Sequence, residues 1–575
     1  MRAQGIALVA TLALMVLIAL LVFGTFFRTQ IELWVTRNDT TSVQAFYAAE
    51  AGLQKYKAAL FQQYIWLEQQ GNAPEGPGCY TQLFDGIDLD RDGILTKYTD
   101  NQIVLAEGEN VLDANGVPIG SYTVKLIRDS HNGQIFTLVS QGTSRGARAT
   151  VQATFHISAN VPGIFAGSGQ GTRWLNGSAT IRGGIYIEGN PLNPEQYVIQ
   201  SNGNFKLLND YNLNSDTYSG ISDRVEQSYR QVNDLCASLR VRYGKISVGG
   251  STQIGTPDNK VKGVFVGRGM RDIEGQNDVC EKTKGVCAEA IGPFDIANPP
   301  PFPTLDSKLN SDACRSYTSW RSCLQSKATL RIQRVGGSLT IPHPPNPLLP
   351  PTCLTDLNSV LNPTSNTLTL GSKAVDCAFP PANPSGGFRY TYSGGQGTLE
   401  IFGDVVLEGL NLVIGGSDKG NQKGNQSISV NYKAKSPDGK KSATLAVLAV
   451  NGQGGNMDLN GNLLPDPDPN YGLYPNHVLG LVVEKNLYQR GQYVMAPVYA
   501  GTFRIVKQNV LLGSVITNVF CTTSAGDRFE CESEEQKGAG QSPEVVHIRI
   551  PRANQPVLIP DLRIPTFQVL SYERR

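Results

Sequence analysis

Charge is scarce in this chain. Only 17% of its 575 residues are Asp, Glu, Lys or Arg, and 50 basic against 49 acidic side chains leave a formal net charge of +1. A balance so close to zero excludes a chain that attracts nucleic acid or acidic lipid along its whole length, so any such partner must be held by a local patch. Histidine is scarcer still: His131, His156, His343, His477 and His547 are all there are, and none lies in a metal-ligand motif. There is no HExxH and no P-loop, which removes two common routes to hydrolytic chemistry. The one GxSxG string, Gly142–Gly146 (GTSRG), falls in a turn between two expected strands. A nucleophile elbow needs a strand-to-helix turn, so this is a chance match and the chain does not read as an enzyme.

Proline is missing from Arg28 to Pro74, and charge from Ile6 to Phe27. Twenty-two largely apolar residues at helical rise span about 33 Å, enough to cross a bilayer core. Arg2 before them suits a cytoplasmic N-terminus. The helical pattern continues beyond the span: Phe46, Leu53, Leu60 and Leu67 recur every seven residues. Ala48, Ala49, Ala51 and Gly52 leave room for another backbone to approach. The apolar run is too long for a secretory signal and no small-residue cleavage site follows it. A plain membrane anchor and a pilin helix remain.

The residues around this helix resemble the type IV pilin-like minor pilins. Gly5 directly before the apolar run resembles a prepilin peptidase site, with residues 1–5 (MRAQG) as leader and Ile6 as the new, methylated N-terminus. Ala45–Leu53 (AFYAAEAGL) is similar to the PilX-like members. The resemblance covers residues 1–157 and implies a pilin helix over 6–70, membrane-spanning over 6–27, followed by a connector and sheet over 71–157. Major pilins of this kind carry Glu as the fifth mature residue, where this chain has Ala10. A terminal amine buried without a counter-charge is costly. Ala10 therefore points to a filament tip or an initiating subunit, which has no neighbour above it.

The rest of the chain reads as β structure. Gly120–Asp129, Gln134–Thr143 and Ala147–Ser158 alternate as antiparallel strands with HNG and SRG turns. Residues 158–575 form a large β-rich domain in which short β-branched runs are separated by Gly and Asn, the texture of a β-solenoid without a fixed period. The expected fold is thus α+β: a long N-terminal pilin helix with an antiparallel β-meander, elaborated by a large β-solenoid-like domain. Residues 222–240 read as a helix interrupting the rungs, and 276–390 as a Cys- and Pro-rich insert. Such an elaborated sheet resembles the competence-associated minor pilins. That implies other pilins and double-stranded DNA as partners, an inner-membrane precursor, and a pilus tip at the cell surface or in the periplasm. A tip adhesin, or an initiating pilin that binds no DNA, is the alternative.

Ten cysteines without a CxxC lie beyond the apolar span, so disulfides in an oxidising compartment are expected rather than zinc. Neighbours in sequence suggest Cys280–Cys287, Cys314–Cys323, Cys353–Cys377 and Cys521–Cys531, leaving Cys79 with Cys236, although spacing does not fix connectivity. For DNA, Ala313–Arg334 carries Arg315, Arg321, Lys327, Arg331 and Arg334 with no acidic residue, and interleaves Tyr317 and Trp320. Arginine neutralises phosphate and rings stack on exposed bases. A second stretch, 418–441, holds Lys419, Lys423, Lys433, Lys435, Lys440 and Lys441 against Asp418 and Asp438. For calcium, Asp88, Asp90 and Asp92 before Gly93 match the start of an EF-hand-type loop, with Asp100 near its twelfth position. Asn456, Asp458, Asn460 and Gly461, with Asp466 and Asp468, form a weaker relative.

Overall fold

The computed structural model describes residues 2–70, 86–87, 96–128, 135–160, 162–167, 179–201, 204–275, 280–296, 299, 301–309, 313–342, 349–380, 383–416, 427–505, 508–522, 542–556, 558–560 and 564–574. The chain divides into two compact units. One takes Met1–Ala73, Thr81–Ser158 and Pro565–Arg575; the other takes Pro74–Tyr80 and Ala159–Ile564.

The first unit is a helix under a sheet. The helix runs Arg2–Gln70, unbroken, as the absence of proline allows. Thr41, Ala45, Ala48, Ala49, Gly52, Leu53 and Leu60 are its buried stripe. Of the expected seven-residue stripe Leu53 and Leu60 are buried, the Leu67 side chain lies outside the described residues, and Phe46 is only half-buried and lies under the Arg574 guanidinium, 4.1 Å from its ring centre. Small side chains win the central positions because the strand Ile135–Ser144 comes very close. A Cβ on Gly142 would sit 2.0 Å from the Ala45 carbonyl oxygen, and one on Gly52 would sit 2.6 Å from Ser140 Oγ. AFYAAEAGL is thus a seat for a strand.

The sheet has five strands, in the order Gln102–Leu112, Pro118–Arg128, Ile135–Ser144, Ala147–Asn160 and Ile564–Arg574. The three strands of the expected meander are present and antiparallel. Two more are not legible in the sequence. Gln102–Leu112 falls within the expected connector, but pairs antiparallel with Pro118–Arg128 through several register shifts. As an edge strand it keeps Val104 half exposed, so it lacks a clean apolar alternation. The last strand brings the C-terminus back to the pilin sheet, so the large domain is an insertion and ends before residue 565.

The second unit is a stack of parallel rungs with three faces. On the first face the strand order is 330–335, 405–408, 442–450, 478–483, 498–500, 515–517, 162–166, 184–187, 238–241, 263–266 and 291–292. The second face runs from 396–402 to 285–286. The third carries 367–370, 411–414, 457–459, 487–489 and 502–505, and, in another stack, 197–201, 245–248 and 273–275. Inward side chains fill the lumen with Leu, Ile and Val. At one corner Asn411, Asn456 and Asn486 form a ladder, each Oδ1 accepting from the next Asn Nδ2 at 2.9 Å. Such a ladder satisfies the amides that a tight corner would otherwise orphan.

The expected helix over 222–240 is absent. Short 3-10 turns at Asp216–Tyr218, Ser222–Arg224 and Gln227–Tyr229 give way to strands Gln231–Val232 and Ser238–Val241. Tyr218, Ile221, Val225, Tyr229 and Val232 are buried at spacings of three and four, which mimics a helical stripe. The backbone finds partners elsewhere: Glu226 N–H donates to the Tyr474 carbonyl, and Leu235 N–H to the Asn209 carbonyl. The insert also resolves differently. Its two ends, 285–292 and 330–379, contribute rung and cap strands, and the described residues of 293–329 lie over the first face. Most of HPPNPLLPP lies outside the described residues, whereas 301–304 is irregular as expected.

Candidate nucleic-acid interface

Outward side chains on the first face are apolar across the middle of the stack: Val406, Ala446, Val482, Tyr499, Ile516, Phe165 and Tyr186. Segment 293–329 covers them with Phe294, Phe302, Leu305, Leu309, Tyr317, Trp320 and Leu324. The stretch read as a DNA patch is the end of this strap. Its Ser319-capped helix, Trp320–Lys327, turns the indole of Trp320 inward. Trp320 is 0% exposed, packs edge-on against Tyr499 at 4.5 Å, and donates its Nε1 hydrogen to the Leu558 carbonyl. It has no free ring face for a base, and Tyr317 packs partly on the same cluster.

The arginines are largely engaged as well. Arg321 donates to both Glu484 carboxylate oxygens at 3.0 and 2.6 Å, and these bonds hold its guanidinium more firmly charged. Arg331 pairs with Glu408, which is 1% exposed and also accepts from Gln325. Arg334 is buried, one nitrogen donating to the Pro363 carbonyl. No acid lies within 313–334 itself; the acids come from residues 408 and 484, on rungs stacked beside it. Arg315 and Lys327 stay exposed.

The second basic stretch keeps more of its charge outside. Lys433 is paired with Asp468 at 3.4 Å and lies over the Tyr471 ring. Lys435, Lys440 and Lys441 are exposed around the turn Ser436–Lys440, where Asp438 is 3.6 Å from Lys440. Lys419 and Lys423 lie outside the described residues.

The calcium readings fare unequally. Asp88, Asp90 and Asp92 lie outside the described residues, and Asp100 is exposed in a turn with positive φ. In the weaker loop several polar groups already have partners. Asn456 belongs to the asparagine ladder, Asp458 is 2% exposed and paired with Arg490, and Asn460 donates to the Gly415 carbonyl. No group of three or more His, Cys, Asp or Glu among the described residues is arranged to hold a metal.

Three of the suggested disulfides are present: Cys280–Cys287, Cys314–Cys323 and Cys353–Cys377. Cys236 and Cys521 are also disulfide-bonded, while Cys79 and Cys531 lie outside the described residues. In GTSRG, Ser144 Oγ donates to the Ile119 carbonyl, and Arg145 and Gly146 form a positive-φ turn. Gly5 and Ile6 lie within the N-terminal helix. From Ala10 to Val35 the helix side chains are exposed, and the helix is long and apolar enough to cross a membrane.

A long helix that is apolar and exposed from Ala10 to Val35, and seated under an antiparallel sheet later, defines a type IV pilin-like protein. No protein-family model and no curated protein matches the chain. Among solved structures it is similar to the competence-associated pilin ComZ from Thermus thermophilus: 59% identity over 93% of this chain and 97% of that one, with a TM-score of 0.69. The chain belongs to this family of competence-associated pilins.

Proposed function

We propose that this chain is a minor pilin at the tip of a competence pilus and that its large domain binds extracellular double-stranded DNA for natural transformation. The observation that carries the reading is the similarity over nearly the whole chain to a competence-associated pilin. Three exposed lysines, Lys435, Lys440 and Lys441, support it as a place where phosphates are neutralised. Arg321 and Arg331 are instead paired with Glu484 and Glu408, while Arg315 and Lys327 stay exposed beside them.

In this reading residues 6–27 first anchor the precursor in the inner membrane. After cleavage between Gly5 and Ile6, the helix packs with those of other pilins, and Ala10 favours the terminal place. Labelling assembled filaments through an exposed loop tests the position: signal at one end is expected, and signal spread evenly along the length overturns it.

A further inference from the structure

The rung order of the large unit does not follow the chain. Val515 pairs with Ile164 and Thr517 with Ala166 on the first face, and Glu544 pairs with Thr180 and Val546 with Arg182 on the second. The domain is therefore two stacks, 162–292 and 330–546, that meet at one seam, with 293–329 as the peptide link between them. Each seam face holds three register pairs, as many as 481–483 with 498–500 on the first face, but among the described residues no third-face pairing crosses the seam to match the four pairs of 486–489 with 502–505. The chain also joins this unit at the seam: it arrives through 159–162 and departs through 547–564. A pull on the chain thus reaches the stack at a junction that strand pairing holds on two faces and not on the third, among the described residues.

Two segments cross the seam from outside. Residues 213–230 leave the first stack and lie on the second. Arg224 donates to the Pro465 carbonyl at 2.6 Å, Glu226 N–H to the Tyr474 carbonyl at 2.8 Å, and the Tyr493 hydroxyl to the Thr217 carbonyl at 3.0 Å. Residues 293–329 cross on the first face. Asp295 receives two 2.8 Å bonds from Arg240 of the first stack, and Arg321 holds Glu484 of the second. Both Arg240 and Asp295 are about 4% exposed, and Trp320 is buried between.

We infer that these two segments are a clamp that lets the seam withstand tension. Their anchors sit on both stacks, and on two faces. Opening the seam must break them together with the strand pairs instead of unzipping three residues at a time. The device goes beyond DNA binding and is read without DNA.

The test pulls the full-length protein at constant force through handles in two exposed loops, at Lys282 of the first stack and Lys373 of the second. Forced opening reports an opening rate. Combining Arg321→Gln with Arg224→Gln is expected to raise that rate about tenfold or more, since each change orphans a part-buried acceptor. Arg490→Gln, within the second stack, leaves it unchanged. Should the double variant fold poorly, a protease site at exposed Asp306, cut after folding, severs one strap in wild-type surroundings and is expected to raise the rate likewise. An opening rate that ignores the cut or the double variant, or that responds equally to Arg490→Gln, overturns the clamp.

Discussion

Gly142 carries more of the pilin unit than its size suggests. It lets a strand backbone rest on the helix at Ala45 and Ala49, where any Cβ would overlap main-chain atoms. Gly142→Ala is expected to cost about 1–3 kcal/mol through overpacking, measured by denaturation of the protein. Two buried histidines set the acid response of the large unit. His477 accepts from Ala434 N–H, and burial, helped by Lys441 and Lys433, depresses its pKa to about 3. Burial likewise lowers His547 to about 4. Both stay neutral in the fold while the unfolded chain takes up protons below its ordinary value of 6.5, so stability falls as pH drops from about 6.5 towards 4. Asp404 acts the other way: burial raises it to about 6, so it adds stability as pH falls through 6 towards 3.8. The two histidine shifts exceed the single aspartate shift. A lower melting temperature at pH 4.5 than at pH 7 is expected, and His477→Gln should reduce the difference; equal melting at both pH values would contradict this.

At the scale of elements, the strap shows what a local reading of charge misses. The stretch 313–334 has a basic sum in sequence because its acids, Glu408 and Glu484, lie many residues away and arrive only through rung stacking. Arg321→Gln is therefore expected to destabilise the fold by about 2–4 kcal/mol, the cost of stranding part-buried Glu484, while DNA affinity stays within twofold. A large loss of DNA binding with unchanged stability would reverse the assignment. The segment 213–230 teaches the same lesson for helices. Its spacing of apolar anchors is helical, but each anchor lands on a surface that already exists, and the backbone bonds outward. The helix and the three central strands of the sheet are legible in the sequence because they bury one face against near neighbours. The edge strand and the C-terminal strand are not, since one is half exposed and the other depends on a partner some four hundred residues away.

For the whole molecule, a pilin sheet holds a rung stack as an insertion, and the sequence shows the rungs without their order. Register partners Leu481, Val498 and Val515 recur every 17 residues, but Val405 and Leu445 are 40 apart because corners carry inserts. The seam adds a larger displacement, since Ile164 pairs with Val515. No local pattern announces that. Apolar runs such as Ser442–Val450 and Val478–Val483 do carry a signal, for they are buried on both sides. They identify the face that the strap covers.

Whether the large domain holds duplex DNA through its exposed lysines is tested most directly by a salt titration of binding to duplexes of unrelated sequence, using protein that begins near residue 28. Binding with little sequence preference is expected, and log K should fall steeply with log salt. Replacing Lys435, Lys440 and Lys441 with Gln should flatten that slope by about 2.7, or 0.9 for each phosphate no longer neutralised. No binding, an affinity indifferent to salt, or a slope untouched by the triple replacement would contradict a lysine-held duplex.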